Sequence, residues 1–409
     1  MSDNQPILVL DIGSTCVRAL IGRNGVHGLE VLSIAEAVPA REAMHAAVSP
    51  QETARAVEQA AERAMLEARL RVQDVWVAMP SNWVTLKEGV GEIALEQRPM
   101  RRSDLARALE NARLPHLSAT RKILHQYDVR IQVDGQTIDA SSQGVRGERL
   151  RVQTRMAICP TRVLSQLLEI VRMAGLTPRG VLLETFAAAT ATLTPQETDE
   201  GVLLVELGAR KTFLGVWKDG QVRDILTLET GGHSFAEELA ATFRIPMDDA
   251  IRLQETCSCV CHPRLESLAP IDVTLASGDV RRISPFSVAQ ILEPRVLELF
   301  AEIQSALLAN TDASGLRHVV LTGGGAWMQG LTDLAEDYFH DRSWALRLGV
   351  PRGMHAGGEL VSQTRYATVV GLLREASSEH RERTFYSTEE QGVTSQLRKV
   401  MAKFFDSFF

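Results

Sequence analysis

Two stretches of the chain set a carboxylate at the end of an apolar run, immediately before a glycine turn. In PILVLDIGSTCVRALIGRNG the run ends at Asp11, and Gly13, Ser14 and Thr15 form a tight turn. A second strand is predicted from Cys16 to Ile21, with the next turn at the Asn24-Gly25 pair, a strong hairpin signal. About two hundred residues later, GVLLVELGARKTFLGVWKDGQV has the same layout. There the strand ends at Glu206, the turn carries Gly208 and Lys211, a strand follows from Thr212 to Trp217, and KDG turns again.

The chemistry of such a pair is phosphate and metal binding. Backbone N–H groups in a tight turn make a nest for anions, and glycine lets a phosphate oxygen approach the main chain. A carboxylate ending the preceding strand holds Mg²⁺, usually through water. The metal candidates are therefore Asp11 and Glu206. A third loop, LTGGGAWMQGL, adds Gly323, Gly324 and Gly325, available for a nucleoside. One glycine turn is a weak signal; two of one layout plus a third loop form a constellation.

Helical stretches fill the intervals and must position these turns. TARAVEQAAERAMLEARL places Val57, Ala60, Ala61, Ala64, Met65 and Ala68 on one face. TRVLSQLLEIVRMAGL is amphipathic, with Gly175 as its stop, and a long helix follows Pro285. HVVLTGGGAWMQGLTDLAEDYF reads as strand, loop, helix. Strands alternating with helices imply an α/β fold. Residues 80–160 break the alternation: a basic helical stretch is followed by strand-rich sequence turning at VDGQ, as in an inserted α+β subdomain.

Composition narrows the function class. Of 409 residues, 45 % are apolar and 23 % charged, which is ordinary for a globular chain, and the net charge of −7 gives no reason to expect nucleic-acid binding. The start lacks the basic and apolar regions of a secretory signal, and no run of eighteen apolar residues predicts a membrane-spanning helix. Five cysteines do not make a disulfide framework, and a reducing compartment is expected. Cys257, Cys259 and Cys261, with His262, invite a zinc reading; alternate positions on one face of a strand fit small buried residues better than metal ligands.

These motifs resemble those of the actin, Hsp70 and sugar-kinase superfamily, and within it the FtsA family of bacterial division proteins. LDIGSTCV is similar to the family's first phosphate loop, VELGARKT to its second, VLTGGGAWMQGL to its adenosine motif and YATVVGLL to the segment after it. GVRGERLRV, AGLTPRGVLLETFAAATATLT and ETGGHSFAEELAATFRIPMDDAIRLQE also match, so the resemblance covers nearly the whole chain, in order. It implies an actin-like fold of two related halves around a nucleotide cleft. The first half (1A) would span 1–79 and 161–197, with the insertion (1C) at 80–160. The second (2A) would span 198–228 and 310–376, with 2B at 229–309, a linker at 377–392 and an amphipathic helix at 393–409. It implies ATP and Mg²⁺ as ligands, with Thr212, Gly231, Gly232 and Glu238 joining the loop residues. It also implies self-assembly into filaments and binding of the C-terminal peptide of the tubulin-like protein FtsZ. Arg295, in ILEPRVLELF, is the candidate contact for that peptide. The expected place is the cytoplasmic face of the inner membrane at the division septum, with other division proteins as further partners.

The chain departs from the family at the second loop. Where the family resembles Asp-Ile-Gly-Gly-Gly-Thr-Thr-Asp, this chain has Glu206, Leu207, Gly208, Ala209, Arg210, Lys211, Thr212 and Phe213. Bulk at Ala209 and Arg210 restricts approach to the γ-phosphate, while Arg210 or Lys211 offers a charge in its place. Tight binding with slow turnover is expected, since in-line attack needs a well-placed water. At most a weak ATPase follows.

The last residues, TSQLRKVMAKFFDSFF, carry an apolar stripe at helical spacing: Leu397, Val400, Met401, Phe404, Phe405 and Phe408. Arg398 and Lys403 lie off it, with Lys399. The polar stretch before it, SSEHRERTFYSTEEQG, separates this helix from the body, and the composition suits a membrane interface. Two rival readings share the fold. A pilus-platform protein resembling PilM would not be expected to end in such a helix. A small-molecule kinase needs an intact second loop and a general base, and neither is evident.

Overall fold

The alternation of apolar runs and amphipathic stretches folds into two units. The computed structural model describes residues 5–39, 49–138, 144–275, 277–310, 315–377 and 386–387. One unit comprises Met1–Ile12, Val17–Glu184 and Leu372–Phe409; the other comprises Gly13–Cys16 and Thr185–Gly371.

The first unit opens with an antiparallel meander, β1 (Ile7–Ile12), β2 (Val17–Gly25) and β3 (Gly28–Ala37). Helix α1 (Pro50–Ala68) crosses over to β4 (Asp74–Met79), which lies parallel to β1. Ser49 caps α1, its hydroxyl accepting from the Glu52 N–H, and the buried face includes Val57, Ala60, Ala61 and Ala64. Met65 and Ala68 sit at its half-buried margin. The hairpin turn after β2 falls two residues beyond the expected Asn24-Gly25. The ladder continues to Gly25 opposite Gly28, and an ion pair of 2.7 Å between Arg23 and Glu30 holds the strands together past Asn24.

A second sheet follows in chain order: β5 (Thr85–Ala94), α2 (Arg102–Arg113), β6 (Arg121–Val133), β7 (Gln136–Ile138) and β8 (Arg149–Pro160). Its strands run antiparallel in the order β5-β8-β6-β7. Helix α2 lies directly on β5, where Gly89 and Gly91 leave room for it; a Cβ at Gly91 would come within 1.8 Å of the Ala108 carbonyl oxygen. Helix α3 (Thr161–Met173) and β9 (Thr177–Leu183) return the chain to the first sheet, β9 parallel to β4. Gly175, at φ +73°, ends the α3 turn as its position requires.

The second unit begins with α4 (Glu184–Thr192) and α5 (Pro195–Glu200). Its sheet comes from β10 (Val202–Leu207), β11 (Thr212–Lys218) and β12 (Gln221–Leu228), followed by α6 (Gly232–Phe243) and α7 (Met247–Thr256). The short hairpin β13 (Ile271–Thr274) and β14 (Val280–Ile283) leads into the long α8 (Pro285–Asn310). Then come β15 (His318–Thr322), α9 (Leu331–Phe339), β16 (Ala345–Leu348), β17 (Met354–Ala356) and α10 (Ala367–Ser377). The sheet order is β12-β11-β10-β15-β16, antiparallel through the hairpins and parallel beyond β10. Its core joins Leu203, Val205 and Leu214 to Phe235, Leu239, Val296 and Phe300.

Two expectations change in this unit and at the chain's end. Cys257 closes α7 and Cys259 bonds through its N–H to the Gln329 carbonyl, 2.8 Å, so the alternate cysteines lie in a loop rather than along a strand. Cys257 and Cys259 are nonetheless buried apolar residues, and His262 Nδ1 accepts from the Arg264 N–H at 3.1 Å. The described residues hold no cluster of three metal-ligating side chains. Within the polar stretch after α10, β18 (Tyr386–Ser387) pairs antiparallel with β9. The predicted terminal helix, with Leu397, Arg398, Val400, Met401, Lys403, Phe404, Phe405 and Phe408, lies outside the described residues. No described helix is long and apolar enough to cross a membrane.

Candidate functional site

The two hairpins share one geometry. Each first strand has six residues with the carboxylate next to last, and each turn has four. The Gly13 N–H donates to the Cys16 carbonyl at 3.1 Å, and the Gly208 N–H to the Lys211 carbonyl at 3.0 Å. A Cβ on either glycine would crowd that same carbonyl oxygen, at 2.9 Å for Gly13 and 2.8 Å for Gly208. Glycine at the first turn position is thus a steric requirement in both.

The carboxylates differ in their surroundings. Asp11 pairs across the ladder with Arg18, which in turn pairs with Glu36. Arg18 Nη1 lies 3.4 Å from Asp11 Oδ2 and Arg18 Nε 3.0 Å from Glu36 Oε1. Burial pushes the Asp11 carboxyl above its ordinary value, and the guanidinium only partly offsets this. Glu206 stands between Phe213 and Thr322 in the sheet, and its Oε1 accepts from the Thr368 hydroxyl at 2.8 Å. Glu206 is buried, like Asp11, so both carboxylates are fixed in direction.

In the second unit three loops close on one another. Gly232 at the start of α6 donates its N–H to the Gly208 carbonyl, 2.9 Å, and the His233 N–H meets the Ala209 carbonyl at 2.6 Å. The α6 N-terminus therefore caps the turn instead of offering those amides to an anion. Gly231 must be small because a Cβ there would approach Arg210 and Lys211 backbone atoms at 2.6 Å. Gly232 and Gly325 also face each other closely: a Cβ on Gly232 would sit 3.5 Å from the Gly325 Cα. Gly323, at φ +88°, and Gly325 lie against Leu207 at the end of β10. The Gly323 N–H donates to the Thr364 carbonyl, and the Thr364 hydroxyl donates to the Gly323 carbonyl at 2.7 Å.

A Cβ at Gly324 would meet nothing within 4 Å, so the backbone there is open to a ligand. Exposed Trp327 ends the same short helical turn. The residues present thus fit a nucleotide at this loop cluster: a glycine backbone open at Gly324, beside a tight turn and a buried carboxylate. Lys211 Nζ is held 2.7 Å from Glu229 Oε1, and the buried Thr212 hydroxyl donates to the Thr230 carbonyl at 2.7 Å. Of the turn's cations, Arg210 is the exposed one.

Glu238 lies further along α6 and forms an ion pair with Arg295 of α8, Oε2 to Nη2, at 2.7 Å. Sequence reasoning assigned these two residues to different ligands and missed their contact. It also missed Thr364 and Thr368, whose hydroxyls tie the segment before α10 to the glycine loop and the start of α10 to Glu206. The YATVVGLL motif pointed at this segment without naming the threonines.

Comparisons with known proteins find relatives along nearly the whole chain. The family described as "Cell division protein FtsA" matches residues 203–371. A relative of that description from Pseudomonas aeruginosa is 28 % identical over 374 residues, covering 90 % of this chain and 88 % of the relative. Among solved structures, the PilM-PilN type IV pilus biogenesis complex superposes with a TM-score of 0.60 at 18 % identity, covering 91 % of this chain and 98 % of the other. MreB5 of Spiroplasma citri bound to ADP gives 0.53 at 13 % identity, covering 90 % and 95 %. The structural likenesses carry the fold alone, and the fold is actin-like. The division-protein relatives match along nearly the whole length. The chain's fold is actin-like, and its sequence is similar along nearly its whole length to cell division proteins described as FtsA.

Proposed function

We propose that this actin-like division protein binds ATP, assembles into filaments and anchors FtsZ filaments to the cytoplasmic membrane through its C-terminal segment. The observation that carries the nucleotide reading is the closure of three glycine loops of the second unit on one another, with open backbone at Gly324. In this reading Gly208 and Gly323–Gly325 line the ligand, Gly231 and Gly232 hold the turn in place, and Glu206, fixed by Thr368, faces the metal waters. The hairpin of Asp11, Gly13, Ser14 and Thr15 has the same layout and is a candidate phosphate turn in its own right. Bound Mg²⁺ would neutralise phosphate charge.

The altered turn favours binding over turnover. Lys211 is engaged with Glu229, which leaves Arg210 as the cation to meet a phosphate. Arg295 supports the partner reading by its exposed position on α8, and the aromatic stripe at 397–408 supports the membrane reading. The PilM likeness is one of fold; the sequence relatives are division proteins.

Calorimetry with ATP and Mg²⁺, paired with a steady-state phosphate assay, tests the proposal. The expected result is saturable binding with turnover far below one per second. No heat at millimolar ATP would end the nucleotide reading, and turnover of several per second would end the slow-hydrolysis reading.

A further inference from the structure

Strand β9 ends at Leu183, whose N–H donates to Nε2 of the buried His125 on β6, 2.9 Å away. Backbone groups along a parallel strand alternate sides, with the N–H and C=O of one residue on the same side. The Leu183 N–H points away from β4, so the polar groups of Val181 face that same outer edge. Tyr386 pairs with Val181 there, and Ser387 with Gly180, antiparallel. Val181 is fully buried, and a buried amide and carbonyl need partners. At Gly180 the ring of Trp76 fills the space a side chain would take, with a Cβ only 2.3 Å from the ring.

We infer that Tyr386–Ser387 act as a strap: they dock on the outer edge of β9 at Val181 and fix where the chain beyond them leaves the first unit. The consequence for anchoring rests on the membrane reading above. Measured from Ser377, residues 378–392 could span about 50 Å before the expected helix; measured from Ser387, residues 388–392 span only about 17 Å. A docked strap thus holds the first unit close to any surface the terminal segment binds and restricts its orientation. It also raises the effective concentration of neighbouring copies for one another on that surface.

Amide hydrogen exchange on the full chain without lipid reads the strap by itself. Tyr386→Pro removes the N–H that pairs with the edge. Exchange at the Val181 amide should quicken at least about tenfold, while Val77, its neighbour on β4, keeps its protection. Equal Val181 rates in parent and variant would overturn the strap, as would an equal rise at Val77, which reports loosening of the whole sheet. A second measurement reads the consequence: energy transfer from a dye at the exposed hairpin tip, Val26, to a lipid dye in anionic vesicles. Ten Gly-Ser residues inserted within 378–385 should leave the transfer unchanged, and the same insertion within 388–392 should lower it. An equal loss from both insertions would overturn the fixed exit point. Failure of the parent chain to bind vesicles would count against the membrane reading, leaving the Val181 exchange to decide the strap.

Discussion

Glu238 of α6 and Arg295 of α8 are joined by an ion pair of 2.7 Å, and Arg295 reaches Glu298 with its other terminal nitrogen at 2.8 Å. Hydrogen bonds to Glu298 and Glu238 raise the Arg295 pKa above its ordinary value, so the side chain is a fixed cation between two carboxylates. Both partners are well exposed, and such a pair contributes about 0–1 kcal/mol to stability. It orients the guanidinium more than it stabilises the fold.

Arg295→Glu should therefore leave the melting temperature within about 2 °C of the parent. If Arg295 meets the FtsZ peptide, the same variant should weaken peptide binding at least about tenfold, worth roughly 1.4 kcal/mol. Fluorescence anisotropy with a labelled peptide checks this, and unchanged affinity would leave Arg295 as a link between helices only.

Gly231→Val tests the closure of the loops. Its side chain would press on the backbone of Arg210 and Lys211, displacing the turn without touching Gly324. ATP affinity should fall at least about tenfold. Retained affinity, measured by calorimetry, would mean that the turn does not contribute to the site.

Asp11→Ala separates a metal role from a structural one. With Arg18 and Glu36 beside it, Asp11 is part of a ladder across three strands as well as a candidate for the metal waters. The metal role requires Mg·ATP to be weakened more than metal-free ATP. An equal loss for both would assign Asp11 to holding the hairpin.

Glu197 gives the fold an acid limit. Burial pushes its carboxyl up, but hydrogen bonds from Arg347 Nε (2.6 Å) and the Thr194 N–H, with the Arg347 charge, outweigh burial and bring it to about 2. Because the folded value lies below the unfolded one, the stabilisation is fully present above about pH 4.5 and is lost as pH falls towards 2. Glu197→Gln should flatten the decline of melting temperature across that window. An unchanged slope would place the acid sensitivity elsewhere.

Phe404→Glu with Phe408→Glu tests the membrane reading. Two carboxylates in the apolar stripe are each costly in hydrocarbon, so sedimentation with anionic liposomes should be abolished while the melting temperature holds. Added salt should weaken the parent's binding only in part, because insertion rather than charge supplies most of the energy. Undiminished sedimentation of the double variant, or a loss of many degrees in stability, would make the segment a docked structural element.

The sequence by itself determined the local chemistry. Strand ends at Asp11 and Glu206, turn glycines at Gly13 and Gly208, and the strand-loop-helix at Gly323–Gly325 were legible because period-two apolar runs and glycine turns depend on neighbours in the chain. Its limit was already visible in the β2–β3 hairpin. The Asn24-Gly25 pair has strong turn propensity, yet the cross-strand pairing of Arg23 with Glu30 carried the ladder two residues further.

Only the tertiary structure decided which of these groups meet. It spent the α6 N–H groups on the Gly208 and Ala209 carbonyls, turned Lys211 to Glu229, and tied Thr368 to Glu206 across more than a hundred residues of chain. It likewise laid Tyr386 on the edge of β9, inside a stretch whose polar composition gave no strand signal. Pairing between distant segments depends on which buried donors and acceptors remain open once the sheets have formed, and no local pattern records that.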